Sequence, residues 1–259
     1  MGRPGMMLGC NPRKKGVVAP ILMAKYFGAS LPPAPEKVYR EYKIPGDAWQ
    51  MFGNDTIGDC TCACIAHILM LVTAHTGKIV IPTLQDVIST YTAASGYDPK
   101  QTDANGNNPT DVGADLPTVL NIWRDTGIAG HKIVQWADID PTNMENQKHA
   151  IHIFAATDDA VQLPNSAMDQ FNAGQSFDVL ADDGGIDGGH SIPRFGYGAD
   201  GAKCLTWEKV WGGSWAWWMK YLQESCVVIT RDWLSNADGL TPSGFDLDTL
   251  VADLKAIAA

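Results

Sequence analysis

Helical patterning first and strand patterning later predict an α+β fold with the two kinds of structure segregated. Three observations carry this. Apolar residues recur at helical spacing between residues 60 and 156, short β-prone runs crowd the final third, and glycine-rich breaks separate those runs. The chain has 259 residues, 45% of them apolar and 19% charged, enough for one sizeable core. It reads as one catalytic-sized domain over residues 46–259, preceded by an extended segment at 1–45. Within the domain a helical lobe covers about 46–157, a sheet lobe about 158–235, and a helical extension 236–259.

Residues 1–45 are rich in Gly, Pro and basic residues, with three prolines between 31 and 35. A segment without helical periodicity lies extended over the surface or hangs free, and a strip laid over an active site is the alternative. From 60 to 76, Ile65, Ile68, Leu69 and Val72 recur at spacings of three and four before Gly77, so a buried helix is predicted. Thr83 caps a second helix to about Ser95, and 97–110 is a polar surface loop. A third helix covers 116–125 and stops at Gly127. Residues 133–136 are strand-like and 144–156 helical. Strands are expected at 176–180, 191–197, 203–210 and 226–230, a short helix at 215–223, and an amphipathic helix at 246–257.

A formal charge of −10 repels phosphate backbones, which argues against a nucleic-acid partner. No run approaches the roughly 18 apolar residues that span a bilayer, so no membrane partner is predicted. The six cysteines are too sparse for a disulfide framework and read as reduced thiols in a cytoplasmic protein. Arg13, Lys14 and Lys15 precede an apolar stretch at 16–24, but Pro20 splits it and Lys25 ends it, unlike a secretory signal. Carriage in a phage particle or non-classical export are the alternatives. The sequence sets no oligomeric state.

Three segments carry possible chemistry. The run Gly53-Asn54-Asp55-Thr56-Ile57-Gly58-Asp59-Cys60 brings a cysteine to the first turn of an apolar helix. There unpaired N–H groups and the positive dipole end favour thiolate, the nucleophile for acyl transfer. Gly188-Gly189-His190-Ser191 opens a strand that ends in Gly196-Tyr197-Gly198, and an imidazole at its start can take a thiol proton and return it to a leaving amine. The third segment runs from Cys204 to Trp215 and includes Thr206-Trp207 and Gly212-Gly213-Ser214-Trp215, where indoles can exclude water from an imidazole.

Together these segments resemble the papain-like cysteine peptidase superfamily, over about residues 46–235. Asn54 lies six residues before Cys60, as the family's Gln or Asn precedes its nucleophile. The glycine-flanked histidine, the Gly-Tyr-Gly turn and the Trp-rich run follow in the family's order, with 130 residues between Cys60 and His190. The motifs are most similar to a poorly characterised bacterial and phage branch with GNDxxGDC and TWG patterns. The resemblance implies a helical lobe, then an antiparallel sheet or barrel lobe, with the active-site cleft between them. It implies a thiol hydrolase that cleaves an amide or peptide bond through a Cys60 thioester. His190 would be general base and acid, and Asn54 with the Cys60 backbone N–H would form the oxyanion hole. Trp207, Gly58, Asp59 and Gly189 would bind substrate or shield the site. Peptide or amide substrate is the expected partner, with no cofactor and no metal.

The pattern departs in two places. Thr206 stands sixteen residues after His190, where the family keeps an orienting Asn. Glu208 stands where a Gly is expected. On a strand Cys204, Thr206 and Glu208 face one way, so Glu208 could be the missing acid, although crowding or surface exposure is the favoured reading. These departures sustain an alternative, a catalytically idle papain-like module that binds a peptide or partner. Acyl transfer to an amine through the same thioester is a third reading. Cys60, Cys64 and His67 share one helix face and invite a zinc reading, but the spacing is unlike common zinc sites. His131, His149 and His152 read as structural, and Asp182, Asp183 and Asp187 as a solvated cleft edge.

Overall fold

The computed structural model describes residues 5–19, 23, 33–40 and 43–234, together with 240, 241, 244, 246, 248, 249, 251 and 252. Helix α1 (Cys60–His75) is buried at every position from Cys60 to Thr73, which is why its composition is apolar all round rather than amphipathic. Two helices flank it. In α2 (Leu84–Ser95) Thr83 and Asp86 close a reciprocal capping box, and Gly96 ends the helix in the left-handed region. In α3 (Leu116–Asp125) the Asp115 carboxylate accepts the Thr118 N–H at 3.0 Å and Pro117 sits in the first turn.

The remaining elements are β1 (Gln135–Ile139), α4 (Met144–Phe154), β2 (Thr157–Pro164), α5 (Asn165–Asn172), β3 (Ile186–Tyr197), β4 (Gly201–Thr206), β5 (Lys209–Ser214), α6 (Trp215–Tyr221) and β6 (Leu222–Ile229). The strands form one antiparallel sheet in the order β1-β6-β2-β3-β4-β5. Helix α1 packs on β3, and this contact sets the nucleophile-bearing helix against the histidine-bearing strand. The sheet takes in β1, so residues 135–139, read as part of the helical lobe, belong to the sheet, where Trp136 pairs with Val228.

Three sequence expectations about the later strands are corrected, and one strand is added. The run 203–210 is two strands, because Trp207 and Glu208 both take positive φ (44° and 60°) and turn the chain back, pairing Thr206 with Lys209. Residues 176–180 contribute one bridge, Phe177 to Gly213, rather than a strand. The strand starting near 191 begins at Ile186. Strand β2 was not foreseen: Asp158 and Asp159 disguise it. Both are buried, and Asp159 is paired with the fully buried Arg194, which Gln147 also contacts. The expected helix at 246–257 lies largely outside the described residues, of which 248, 249, 251 and 252 are helical. No helix among the described residues is long and apolar enough to cross a membrane.

Candidate active site

The helix–sheet contact brings five of the sequence-selected residues around one crevice. Cys60 opens α1, His190 lies on β3, Thr206 ends β4, Trp207 begins the turn after it, and Asn54 comes from the loop before α1. The space between them is about 10 Å³. His190 Nε2 shares a 2.9 Å hydrogen bond with Thr206 Oγ1. The Trp207 ring stacks on the imidazole, with centroids 4.6 Å apart and planes 17° apart. Nδ1 is buried and has no hydrogen-bond partner among the described residues, so it is the nitrogen left for the crevice. A hydroxyl can accept from the ring N–H and fix its orientation as an amide would, and like an amide it supplies no charge to stabilise an imidazolium.

Burial decides the protonation of this pair. It pushes the Cys60 thiol up to about 12, against the pull of the Ser191 and Gly9 backbone N–H groups directed at the sulfur. It pushes His190 down to about 3. The resting groups are therefore a neutral thiol and a neutral imidazole lining one crevice, with no hydrogen bond from Nδ1 to the sulfur, not the thiolate expected from the helix N-terminus. Desolvation outweighs the dipole because Cys60 is only 1% exposed.

What covers the sulfur is the protein's own N-terminal segment. Residues 6–13 run beside the crevice as a strap, against the loop before α1, the start of β3 and the segment before α3. The Met7 N–H donates to the Asn54 carbonyl at 2.9 Å, the Cys10 N–H to the Gly189 carbonyl at 3.0 Å and the Asn11 N–H to the Ala114 carbonyl at 2.9 Å. The Gly9 carbonyl accepts from the Ala114 N–H at 2.9 Å. The approach is so close that a Cβ on Gly9 would stand 1.8 Å from the Gly58 oxygen, and one on Gly189 would stand 2.0 Å from the Cys10 oxygen. The described part of this segment is not a free tail: it lies extended against the molecule next to Cys60 and Gly189.

The other candidates are placed as follows. Gly58 and Gly189 flank the strap, and the Gly58 N–H is held by both oxygens of Asp111 at 3.0 and 3.1 Å. Asp59 is not on the crevice surface: it is wholly buried, and burial with nearby Asp111 holds its carboxyl well above the usual range. The Asn54 amide donates to the Ile57 carbonyl at 3.2 Å while lining the crevice. Glu208 is exposed in the turn, away from Thr206, because the chain reverses before the strand alternation reaches it. His67 Nε2 bonds the Gln50 carbonyl at 2.9 Å and its ring is pushed down to about 4 by burial. Among the described residues no group of three His, Cys, Asp or Glu is placed to hold a metal ion. His131 bonds Asp232, His149 bonds the Glu145 carbonyl, and Asp183 is tied to Lys220 and Tyr221.

Sequence reasoning missed Asp158. Its Oδ1 accepts from Ser191 Oγ at 2.8 Å and from Cys64 Sγ at 3.1 Å, so one carboxyl ties α1 to β3 directly beneath Cys60 and His190. Burial pushes it up to about 7. The available signal was a pair of aspartates inside a run flanked by apolar residues, a pattern that demands buried partners.

The architecture is papain-like. Xylellain, a cysteine protease from Xylella fastidiosa, matches with a TM-score of 0.64 and 13% identity over 89% of this chain and 98% of that one. The CMS1MS2 cysteine protease of Carica candamarcensis, solved in complex with E-64, matches with a TM-score of 0.51 and 14% identity over 76% and 99%. Digestive procathepsin L 3 of Tenebrio molitor matches with a TM-score of 0.54 and 11% identity over 87% and 76%. No protein-family model matches the sequence, and no curated protein is similar to it in sequence. The likeness is one of fold: α+β, with the helices and the antiparallel sheet meeting at the crevice.

Proposed function

We propose that the protein is a thiol hydrolase that cleaves an amide or peptide bond, held closed by residues 6–13. The observation that carries this reading is one crevice shared by Cys60 and His190, with Thr206 on the far ring nitrogen and Trp207 stacked over the ring. When the strap leaves, water reaches the sulfur and the desolvation that holds the thiol neutral is relieved. His190 Nδ1 takes the thiol proton, and the sulfur attacks the carbonyl carbon. The Asn54 amide and the Cys60 backbone N–H receive the developing oxyanion. The imidazolium then protonates the leaving amine, and water attacks the thioester with His190 again as base.

The fold neighbours are proteases by name, which supports a peptide as the substrate class. One observation favours a second reading, an idle binding module: the orienting group on His190 is a freely rotating hydroxyl where the resembled family has a planar amide. Gly9→Val, which cannot keep the strap seated, discriminates the two. Incubated with a mixed peptide pool, it is expected to release new amino termini, and Gly9→Val/Cys60→Ala none. Equal silence from both chains, with the strap shown to be displaced, would leave the idle module.

A further inference from the structure

The far end of the strap is held differently from its middle. Arg13 is seated as a guanidinium in a receptor with three walls. Its Nη1 and Nη2 form a fork on the two Asp138 oxygens at 2.7 and 2.6 Å, and its Nε and backbone N–H reach the two Glu224 oxygens at 2.8 and 3.1 Å. The Trp136 ring supplies the third wall, with the guanidinium carbon 5.8 Å from its centroid. All three charged side chains are about four-fifths buried, with 20%, 22% and 21% exposure for Arg13, Asp138 and Glu224. Asp138 on β1 and Glu224 on β6 occupy neighbouring strands, so the sheet itself fixes their spacing. This is the geometry a planar five-donor fork satisfies and an ammonium does not.

The receptor is not filled by Arg13. It opens into a cavity of about 500 Å³ lined by Arg13, Asp138, Pro141 and Glu224 among others. Gln223 and Glu224 also line a second cavity of about 240 Å³, whose wall includes Gly189, the neighbour of His190. Glu224 thus faces both cavities, the second of which is walled by strap residues Cys10, Asn11 and Pro12 on one side and by Gly189 on the other. The acidic pair therefore sits at the end of the path the strap takes past Gly189. If the strap leaves, two carboxylates fixed side by side lose the cation that both contact, and like charges held together favour any cation that replaces it.

We infer that Asp138, Glu224 and Trp136 form a subsite for an arginine side chain of the substrate, and that Arg13 occupies it in the closed state as a stand-in. The inference rests on the hydrolase reading for the word substrate, but the subsite itself is a property of these three side chains. A basic peptide is then the preferred class, with arginine above lysine because only a guanidinium reaches Asp138 in a fork and Glu224 at once. The excess negative charge of the chain favours the same partner by attraction at a distance.

The probe is N-acetyl-arginine amide, with the uncharged N-acetyl-citrulline amide of the same shape as its control. Binding is measured by calorimetry on the full chain carrying Cys60→Ala and Arg13→Ala, which empties the subsite and removes the proposed nucleophile. Arginine amide is expected to bind at least tenfold tighter than citrulline amide, and at least tenfold tighter than it binds Cys60→Ala alone. Adding Glu224→Gln is expected to remove the preference. Equal binding of the two amides, no binding, or indifference to Glu224→Gln would overturn the subsite. A second readout covers a chain that loses its fold: Gly9→Val is offered peptide pairs differing only in arginine or citrulline. Cleavage of the arginine peptides at least tenfold faster supports the inference, and equal cleavage overturns it while leaving the hydrolase standing. Arginine-selective binding with no cleavage of any peptide does the reverse.

Discussion

The strap meets the molecule at two places by opposite means. At Gly9 it lies backbone against backbone on Gly58, without room for a single methyl group, next to a crevice of about 10 Å³. At Arg13 it is held by charge at the edge of a cavity of about 500 Å³. The steric contact keeps water from the sulfur, and packing of that kind is all-or-none. The ionic contact tolerates solvent and weakens with salt. The central contact therefore sets the chemistry of Cys60, and the outer one adjusts how firmly the strap stays.

The largest effect is expected from breaking the steric contact. In Gly9→Val the Cys60 pKa should fall from about 12 towards its ordinary 9.0, which is on the order of 10³ more thiolate at pH 7. Mass-spectrometric mapping of iodoacetamide adducts measures it. Arg13→Ala breaks only the outer contact, and a partly buried charged hydrogen bond of about 1.5 kcal/mol corresponds to roughly tenfold faster labelling. The same gain should appear in the wild type at high salt and be absent in Arg13→Ala.

Asp158 sharpens the comparison from beneath. Its folded pKa, about 7, lies above the unfolded value of 3.8, so its contribution is fully present below pH 3.8 and lost as pH rises through 7. Asp158→Asn removes that dependence. Relative to wild type the variant should gain up to about 1.4 kcal/mol per pH unit between pH 4 and 7, read from urea melts, because the depressed histidines cancel in the difference. The smallest effect is expected at the turn. Glu208 sits at φ 60°, where a Gly is unstrained, so Glu208→Gly should stabilise by about 1 kcal/mol in thermal melts and leave the labelling of Cys60 unchanged.

Much of the fold was legible because local rules coincide with the tertiary result. The apolar run of α1, the Thr83 cap and the glycine stops act within a few residues. The crevice residues Cys60, His190, Asn54 and Thr206 were legible from motif spacing. What was not legible depends on contacts distant in sequence. Nothing near Gly9 in the sequence announces the Gly58 carbonyl, and nothing near Arg13 announces Asp138 and Glu224. Strand β2 was hidden because its aspartates are tolerable only with Arg194, Ser191 and Cys64 around them. The expected thiolate failed for the same reason: a helix terminus is a local feature, but its covering is not.

The most direct measurement is the pH profile of Cys60 alkylation from pH 5 to 8 in Gly9→Val, compared with Gly9→Val/His190→Ala. Water returning to the imidazole should lift its pKa from about 3, so that thiolate and imidazolium coexist in the single variant. Labelling at pH 5 to 6 well above that of Cys226, and abolished by the histidine substitution, is the predicted result. Superimposable profiles for the two chains would show that sulfur and imidazole do not act together, and would contradict the hydrolase.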